Sequence, residues 1–240
     1  MERRFWGLTD TGLVRSVNQD SYYIDDPKGR FFIVADGMGG HAGGQEASQI
    51  ATKQIQAYLE EKWDSEESSE ILLQEAIDLA NQGILEDQNN HPERADMGTT
   101  VVILMFREKP WVAHIGDSRL YRFRESQLEQ ITEDHTWVGL ALRSGDITKE
   151  QAKVHPWRHV LSQCLGRKEL YGVDLHEIDV QPGDRLLLCS DGLTEEVADD
   201  LINVFLTDSK DCKVAATELV EAAKKAGGSD NVTVVIVEQQ

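Results

Sequence analysis

The chain reads as an α+β protein with layered sheets, and three observations predict this. Strand-like apolar runs come in groups at hairpin spacing, paired helical stretches separate the groups, and no regular βα alternation links the two. Runs at 5–8, 22–24 and 31–35 open the chain as short strands. Two helices follow. Ala47, Ile50, Ala51, Ile55, Tyr58 and Leu59 recur at helical spacing, as do Leu72, Leu73, Ala76, Ile77, Ala80 and Ile84. The acidic run 64–70 between them is a solvated loop that ends in a helix N-cap. Residues 99–106 are almost continuously apolar, 111–115 and 120–123 follow at hairpin spacing, and 128–131 adds an edge, which predicts antiparallel pairing. Residues 134–165 break the rhythm with two short helical pieces. Strands resume at 173–180 and 185–189 around the turn Gln181-Pro182-Gly183-Asp184. Helices near 195–206 and 211–226 precede a last strand at 232–237. There is no repeat and no Pro- or Ser-rich linker, so 1–240 is read as one domain.

Composition narrows the function classes. A formal net charge of −19 opposes binding to nucleic acid or to anionic membrane surfaces, whose phosphates it would repel. A phosphorylated protein stays possible as a partner, because bound cations reverse the field locally. Cys164, Cys189 and Cys212 form no CxxC pair and no even framework, which predicts buried free thiols in a reducing compartment. Two arginines near the N-terminus precede no long apolar stretch, and no run reaches membrane-spanning length. The expectation is a soluble, cytoplasmic monomer.

The chemistry is concentrated in four aspartates placed where an apolar run meets small residues. Asp36 closes Phe31-Phe32-Ile33-Val34-Ala35, Asp117 follows His114-Ile115-Gly116, Asp191 follows Leu186-Leu187-Leu188-Cys189-Ser190, and Asp230 opens the run after Asn231. Strand ends project side chains from a rigid rim, and small neighbours allow close approach. Carboxylates gathered at one rim repel each other unless a cation lies between them, and hard oxygen donors suit Mg²⁺ or Mn²⁺. The glycine-rich stretch 36–44 lacks both GxxxxGK[ST] and a strand-GxGxxG-helix context, so it is not read as a nucleotide loop. Taken singly, Asp36, Asp117 or Asp191 is more often a turn or cap residue, and the joint pattern makes ligands of them; Asp230, beside Gly227-Gly228-Ser229, is also a good turn residue.

Six motifs, in order and spread over nearly the whole chain, resemble the metal-dependent protein phosphatases of type 2C (PPM). They are Arg15-Ser16-Val17-Asn18-Gln19-Asp20, Asp36-Gly37-Met38-Gly39-Gly40-His41, Gly98-Thr99-Thr100, Gly116-Asp117-Ser118-Arg119, Ser190-Asp191-Gly192-Leu193 and Asp230-Asn231-Val232-Thr233. The likeness is to bacterial single-domain members, in particular cyanobacterial PphA-like ones, and extends through Asp134-His135-Thr136-Trp137 and His155-Pro156-Trp157-Arg158-His159. The resemblance implies a four-layer α-β-β-α sandwich of two antiparallel sheets flanked by helices, with a flap at about 138–165 beside a metal cleft. It implies that Asp36 bridges two Mg²⁺ or Mn²⁺ ions and that the Gly37 carbonyl binds the first. Asp191 and Asp230 hold the second, Asp117 with Asp191 holds a third, and Asp20 acts through a metal-bound water. Arg15 is implied as the contact to the substrate phosphate, where a planar fork suits phosphoryl oxygens.

The implied activity is hydrolysis of phosphoserine and phosphothreonine in proteins by a metal-bridging hydroxide, without a covalent intermediate. PphA-like members act on the signalling protein PII, which makes a PII-like protein one candidate substrate. One departure concerns the proton. Many eukaryotic members carry His directly after the Asp-Gly step, whereas this chain has Met38, which donates no proton. His41, His155, His159 or a metal-bound water are the alternatives for the leaving oxygen. His114 and His135 read as structural, and Trp137 and Trp157 as packing of the flap. Two other functions compete: a silent module that binds a phosphorylated partner, and a small-molecule phosphomonoesterase.

Overall fold

The computed structural model describes residues 2–40 and 43–240. Three strands, β1 (Arg3–Asp10), β2 (Asp20–Ile24) and β3 (Phe31–Met38), lead into helices α1 (Gly43–Lys62) and α2 (Ser69–Asn90). Next come β4 (Gly98–Thr99), β5 (Val101–Phe106), β6 (Pro110–Ile115), β7 (Arg119–Arg124) and β8 (Gln127–Gln130). Short helices α3 (Trp137–Arg143) and α4 (Lys149–Lys153) precede β9 (Asp174–Glu177) and β10 (Arg185–Cys189). The chain ends with α5 (Asp191–Thr194), α6 (Asp199–Asp208), α7 (Cys212–Ala226) and β11 (Val232–Gln239).

The strands form two antiparallel sheets. One has the order β1-β11-β10-β7-β8, and the other β2-β3-β5-β6-β9, with β4 paired to β3. Period-two alternation divides each apolar run between two cores. Phe32, Val34, Val102, Leu104, Leu186, Leu188, Val235 and Val237 meet between the sheets. Phe31, Ile33, Val101 and Ile103 turn outward onto α1 and α2, where Ile55, Leu59, Leu73 and Ile77 cover them. Leu187, Cys189, Val234 and Ile236 turn the other way, under Ile202 and Leu206 of α6 and Leu219 of α7. Four layers follow from this division. Each fully buried aliphatic side chain contributes about 1.5–3 kcal/mol.

Several elements differ from their expected spans. The apolar run 99–106 is two strands, because Thr100 leaves the ladder: its N–H reaches the Asp36 carbonyl at 2.9 Å and its Oγ1 accepts the Asp36 N–H at 3.0 Å. The helix expected near 195–206 is α5 and α6 with a break. Val197 closes α5 on the Leu193 carbonyl at 2.9 Å, and extended Ala198 (φ −66°, ψ 150°) restarts the chain as an N-cap. The run 173–180 pairs only over Asp174–Glu177, where Trp111 to His114 lie opposite. The N-cap is Ser68, whose side chain accepts the Ile71 N–H, so the last two residues of the acidic run 64–70 are already helical and not loop. No helix among the described residues is long and apolar enough to cross a membrane.

Candidate metal centre

The cluster is assembled by strand register and by backbone clamps. Asp20 opens β2 and stands opposite Asp36 on β3. Thr99 Oγ1 donates to the Asp36 carbonyl at 2.8 Å, so the peptides on both sides of Asp36 are fixed by the Thr99-Thr100 step. Asp191 follows β10 at the start of α5, and Ser190 N–H reaches Thr233 O at 3.1 Å, tying that turn to β11. Asp230 precedes β11, and Asp117 lies between β6 and β7. Two glycines are required by close backbone approach. A Cβ at Gly37 would meet the Gly44 carbonyl oxygen at 1.9 Å, and one at Gly192 would meet Asn231 O at 1.9 Å.

These carboxylates raise one another. Asp36 is held well above the usual carboxylate range by burial, then by Asp20, Asp191 and Asp117, and through a hydrogen bond with Asp191. Burial followed by the charges of Asp191 and Asp134 holds Asp117 well above that range. Burial raises Asp191, with Asp230 adding to it while Asp36, His159 and Arg119 oppose. Asp20 is pushed up to about 6, chiefly by burial, although Thr233 and Ser190 donate hydrogen bonds that lower it. Its Oδ2 accepts from Ser190 Oγ at 2.7 Å and from Thr233 Oγ1 at 2.6 Å, while its buried Oδ1 has no partner. An all-oxygen set of mutually repelling acids, Asp20 buried and the others half-buried, with an orphaned acceptor fits hard divalent cations.

Arg15 reaches the cluster from the loop between β1 and β2. Its Nη2 pairs with Asp230 Oδ2 at 2.7 Å, and its side chain stays 52% exposed. The resemblance implies Arg15 as a phosphate contact, and the structure places it beside the carboxylates, in an ion pair with one of them. Of the described histidines, His159 comes closest. Its Nδ1 pairs with Glu195, and Asp191 offers a carboxylate oxygen within 4.8 Å of both. Burial, then Arg158, lowers the His159 pKa, with Asp191 and Asp230 opposing. His155 instead packs in the flap, stacked on Trp137 at 4.7 Å with its Nδ1 accepting the Trp157 N–H at 3.1 Å. His41 lies outside the described residues. The flap holds α3 and α4, and a bridge between Thr136 and Leu161 closes its base.

Sequence reasoning missed two residues. Glu195, pushed up to about 7 by burial and then by Asp191, sits one helical turn after Asp191. That i, i+4 spacing was its signal, hidden in an acidic pair with Glu196. Asn231, 3% exposed, binds three backbone groups of the segment that carries Arg15. Its place after Asp230 looks like an ordinary turn residue.

Comparison with known proteins identifies the family and the fold. The family profile described as Protein phosphatase 2C matches residues 14–230. The chain is 38% identical over 238 residues to the serine/threonine protein phosphatase PstP of Mycobacterium tuberculosis, covering 98% of this chain but only 45% of PstP. It therefore spans about half the length of that relative. It is 36% identical over 240 residues to the serine/threonine phosphatase stp of Listeria monocytogenes, covering 96% of this chain and 94% of stp. The crystal structure of the PstP catalytic domain in complex with two manganese ions superposes with a TM-score of 0.86 at 36% identity, covering 98% of this chain and 97% of that one. With its two-sheet sandwich, its aspartates in motif order and these likenesses, the chain belongs to the protein phosphatase 2C family.

Proposed function

We propose that the chain is a metal-dependent phosphatase of phosphoserine and phosphothreonine in proteins. One observation carries the reading: Asp20, Asp36, Asp117 and Asp191 converge in one cluster, where burial and then neighbouring carboxylates hold their pKa values up. Asp36 and the Gly37 carbonyl would hold one Mg²⁺ or Mn²⁺, Asp36 with Asp191 and Asp230 a second, and Asp117 with Asp191 a third. When bound, such ions lower the pKa of a water and offset the charge of the transferring phosphoryl group. The PstP catalytic-domain structure, in complex with two manganese ions, supports the metal dependence.

The chain's own residues do the rest. Arg15 uses one of its donors on Asp230 and has others for the phosphate oxygens, so it positions the substrate beside the cluster. Asp20 Oδ1 is a buried acceptor without a partner, suited to hold and orient a water through its hydrogen. Among the described histidines, His159 stands beside Asp191 with Glu195 on its Nδ1, which makes it, with water, a candidate source of the proton for the leaving oxygen. Finer readings belong to the same proposal. Residues 1–240 act as one catalytic domain, supported by the core shared between the sheets. A cytoplasmic setting is supported by three buried free cysteines. A PII-like substrate rests on the resemblance to PphA-like proteins.

The test is turnover of a phosphothreonine peptide, of p-nitrophenyl phosphate and of phosphorylated metabolites with Mn²⁺, by wild type and Asp191→Ala. The reading expects highest efficiency on the peptide and loss of nearly all activity in the variant. No turnover of any substrate would leave the binding module, and a preference for metabolites would leave the small-molecule esterase.

A further inference from the structure

We propose that His135 is the positioning residue of the Asp117 carboxylate, an inference that rests on the reading of Asp117 as a metal ligand. Asp117 sits in the tight connection from β6 to β7, directly after Gly116. Gly116 has φ +107°, and a Cβ there would meet Thr100 Cβ at 2.6 Å, so no other residue supplies this turn. Both polar groups of the Gly116 backbone go to His135. The Gly116 carbonyl accepts the His135 N–H at 2.8 Å, and the Gly116 N–H donates to His135 Nδ1 at 3.2 Å. On the other side of Asp117, Ser118 Oγ and Thr100 Oγ1 are 2.6 Å apart, and Thr100 also holds Asp36. The Asp117 backbone is thus clamped from both flanks.

The ring of His135 is itself fixed. Because Nδ1 accepts a hydrogen bond, the neutral ring carries its hydrogen on Nε2, which donates to Asp174 Oδ2 at 3.0 Å. His114 is wholly buried, and its ring lies 4.6 Å from that of His135, tilted by 42°. His114, His135 and Asp174 present donor atoms within 4.8 Å of one another, a set that would suit a transition metal. The Gly116 N–H decides against that use, since it occupies Nδ1 and leaves hydrogen on the nitrogen that faces Asp174. The trio is a hydrogen-bonded brace. Its line runs from Asp174 on the edge strand β9 through His135 to Gly116 and Asp117. The His135 carbonyl also accepts the Ser162 N–H at 2.8 Å, so the returning end of the flap rests on the same residue.

Two substitutions separate the ends of the ring. His135→Asn places a carbonyl oxygen where Nδ1 accepts, and His135→Gln reaches toward Asp174 but offers Gly116 no acceptor. The readout is equilibrium Mn²⁺ binding to the full chain without substrate, followed by electron paramagnetic resonance of free Mn²⁺, with melting curves as the fold control. Partners one shell beyond a ligand typically change affinity by about 10–100-fold. His135→Gln is expected to weaken the weakest Mn²⁺ site by about tenfold or more and leave tighter sites unchanged. His135→Asn stays within about threefold of wild type. Equal behaviour of the two variants, whether intact or weakened, overturns the proposal. Asp117→Asn gives the separate control. If it leaves every Mn²⁺ site unchanged, the ligand reading itself fails and the brace has nothing to position. Should His135→Gln not fold, Asp174→Ala alters only a half-exposed side chain. It is then expected to weaken the same site by about threefold or more, and an unchanged site overturns the proposal.

Discussion

Replacing Asn231 with alanine unfastens the loop that presents Arg15, and the size of the effect can be worked out. The Asn231 Oδ1 accepts the Gln19 N–H at 2.8 Å, and Nδ2 donates to the carbonyls of Thr11 at 2.9 Å and Val17 at 3.0 Å. The side chain is 3% exposed, so water cannot replace it without rearrangement. At about 1 kcal/mol net for each lost bond, the substitution costs about 3 kcal/mol. An unfolding entropy of about 2.1 cal/mol/K per residue gives about 0.5 kcal/mol/K for this chain, so Tm falls by about 6 °C. Arg15 lies in the middle of the freed segment, and KM for a phosphothreonine peptide rises by about tenfold, as for a lost charge-assisted contact. Differential scanning calorimetry and steady-state kinetics read the two effects on one preparation. A Tm change below about 1 °C, or an unchanged KM despite the lower Tm, would refute the reasoning that Asn231 holds the phosphate-binding loop.

Two further predictions concern pH and metal together. In the chelated protein, the folded-state pKa of Asp20 is about 6, above its value in the unfolded chain, and Asp36, Asp117 and Asp191 are raised as well. Groups raised in this way favour the fold when protonated, so their contribution is full below about pH 4 and is lost as pH rises through the folded values. His114, held down to about 4 by burial, and His159, lowered as well, act with the opposite sign, but they are two groups against five, because Glu195 is also raised, to about 7. The chelated protein is therefore expected to melt lower at pH 7 than at pH 5, and an equal or higher Tm at pH 7 contradicts the electrostatic account. With saturating Mn²⁺ the trend reverses, because ionised carboxylates then bind the cation. Thermal scans at both pH values with and without Mn²⁺ check this, and a Tm at pH 7 that Mn²⁺ does not raise counts against the site.

The sequence was most legible where one residue type answers one physical demand. The runs ending at Asp36 and Asp191 are buried on both faces, and their uninterrupted apolar character shows this directly. The Asp-Gly steps announced close backbone approach, and Gly37 and Gly192 have no room for a Cβ. Register was not legible. That Asp20 stands opposite Asp36 depends on how β2 pairs with β3, and no local pattern encodes that pairing. The break at Thr100 was hidden because its hydrogen bonds go to Asp36, 64 residues away. Glu195 was masked for a similar reason, since an acid in a charged helical turn looks solvated until the fold places it between His159 and Asp191. His135 read as structural; its two bonds to Gly116 show that its structural work is done directly beside a candidate ligand.

The central claim is that the clustered aspartates form a divalent-cation centre, and counting bound Mn²⁺ tests it most directly. Equilibrium dialysis of wild type and Asp191→Ala at neutral pH, with the fold of each verified by circular dichroism, supplies the count. The account predicts at least two Mn²⁺ per wild-type chain and loss of most of that binding in Asp191→Ala, since Asp191 contributes to two of the proposed sites. A folded wild type that binds no Mn²⁺, or a variant that binds as many ions as wild type with equal affinity, contradicts it.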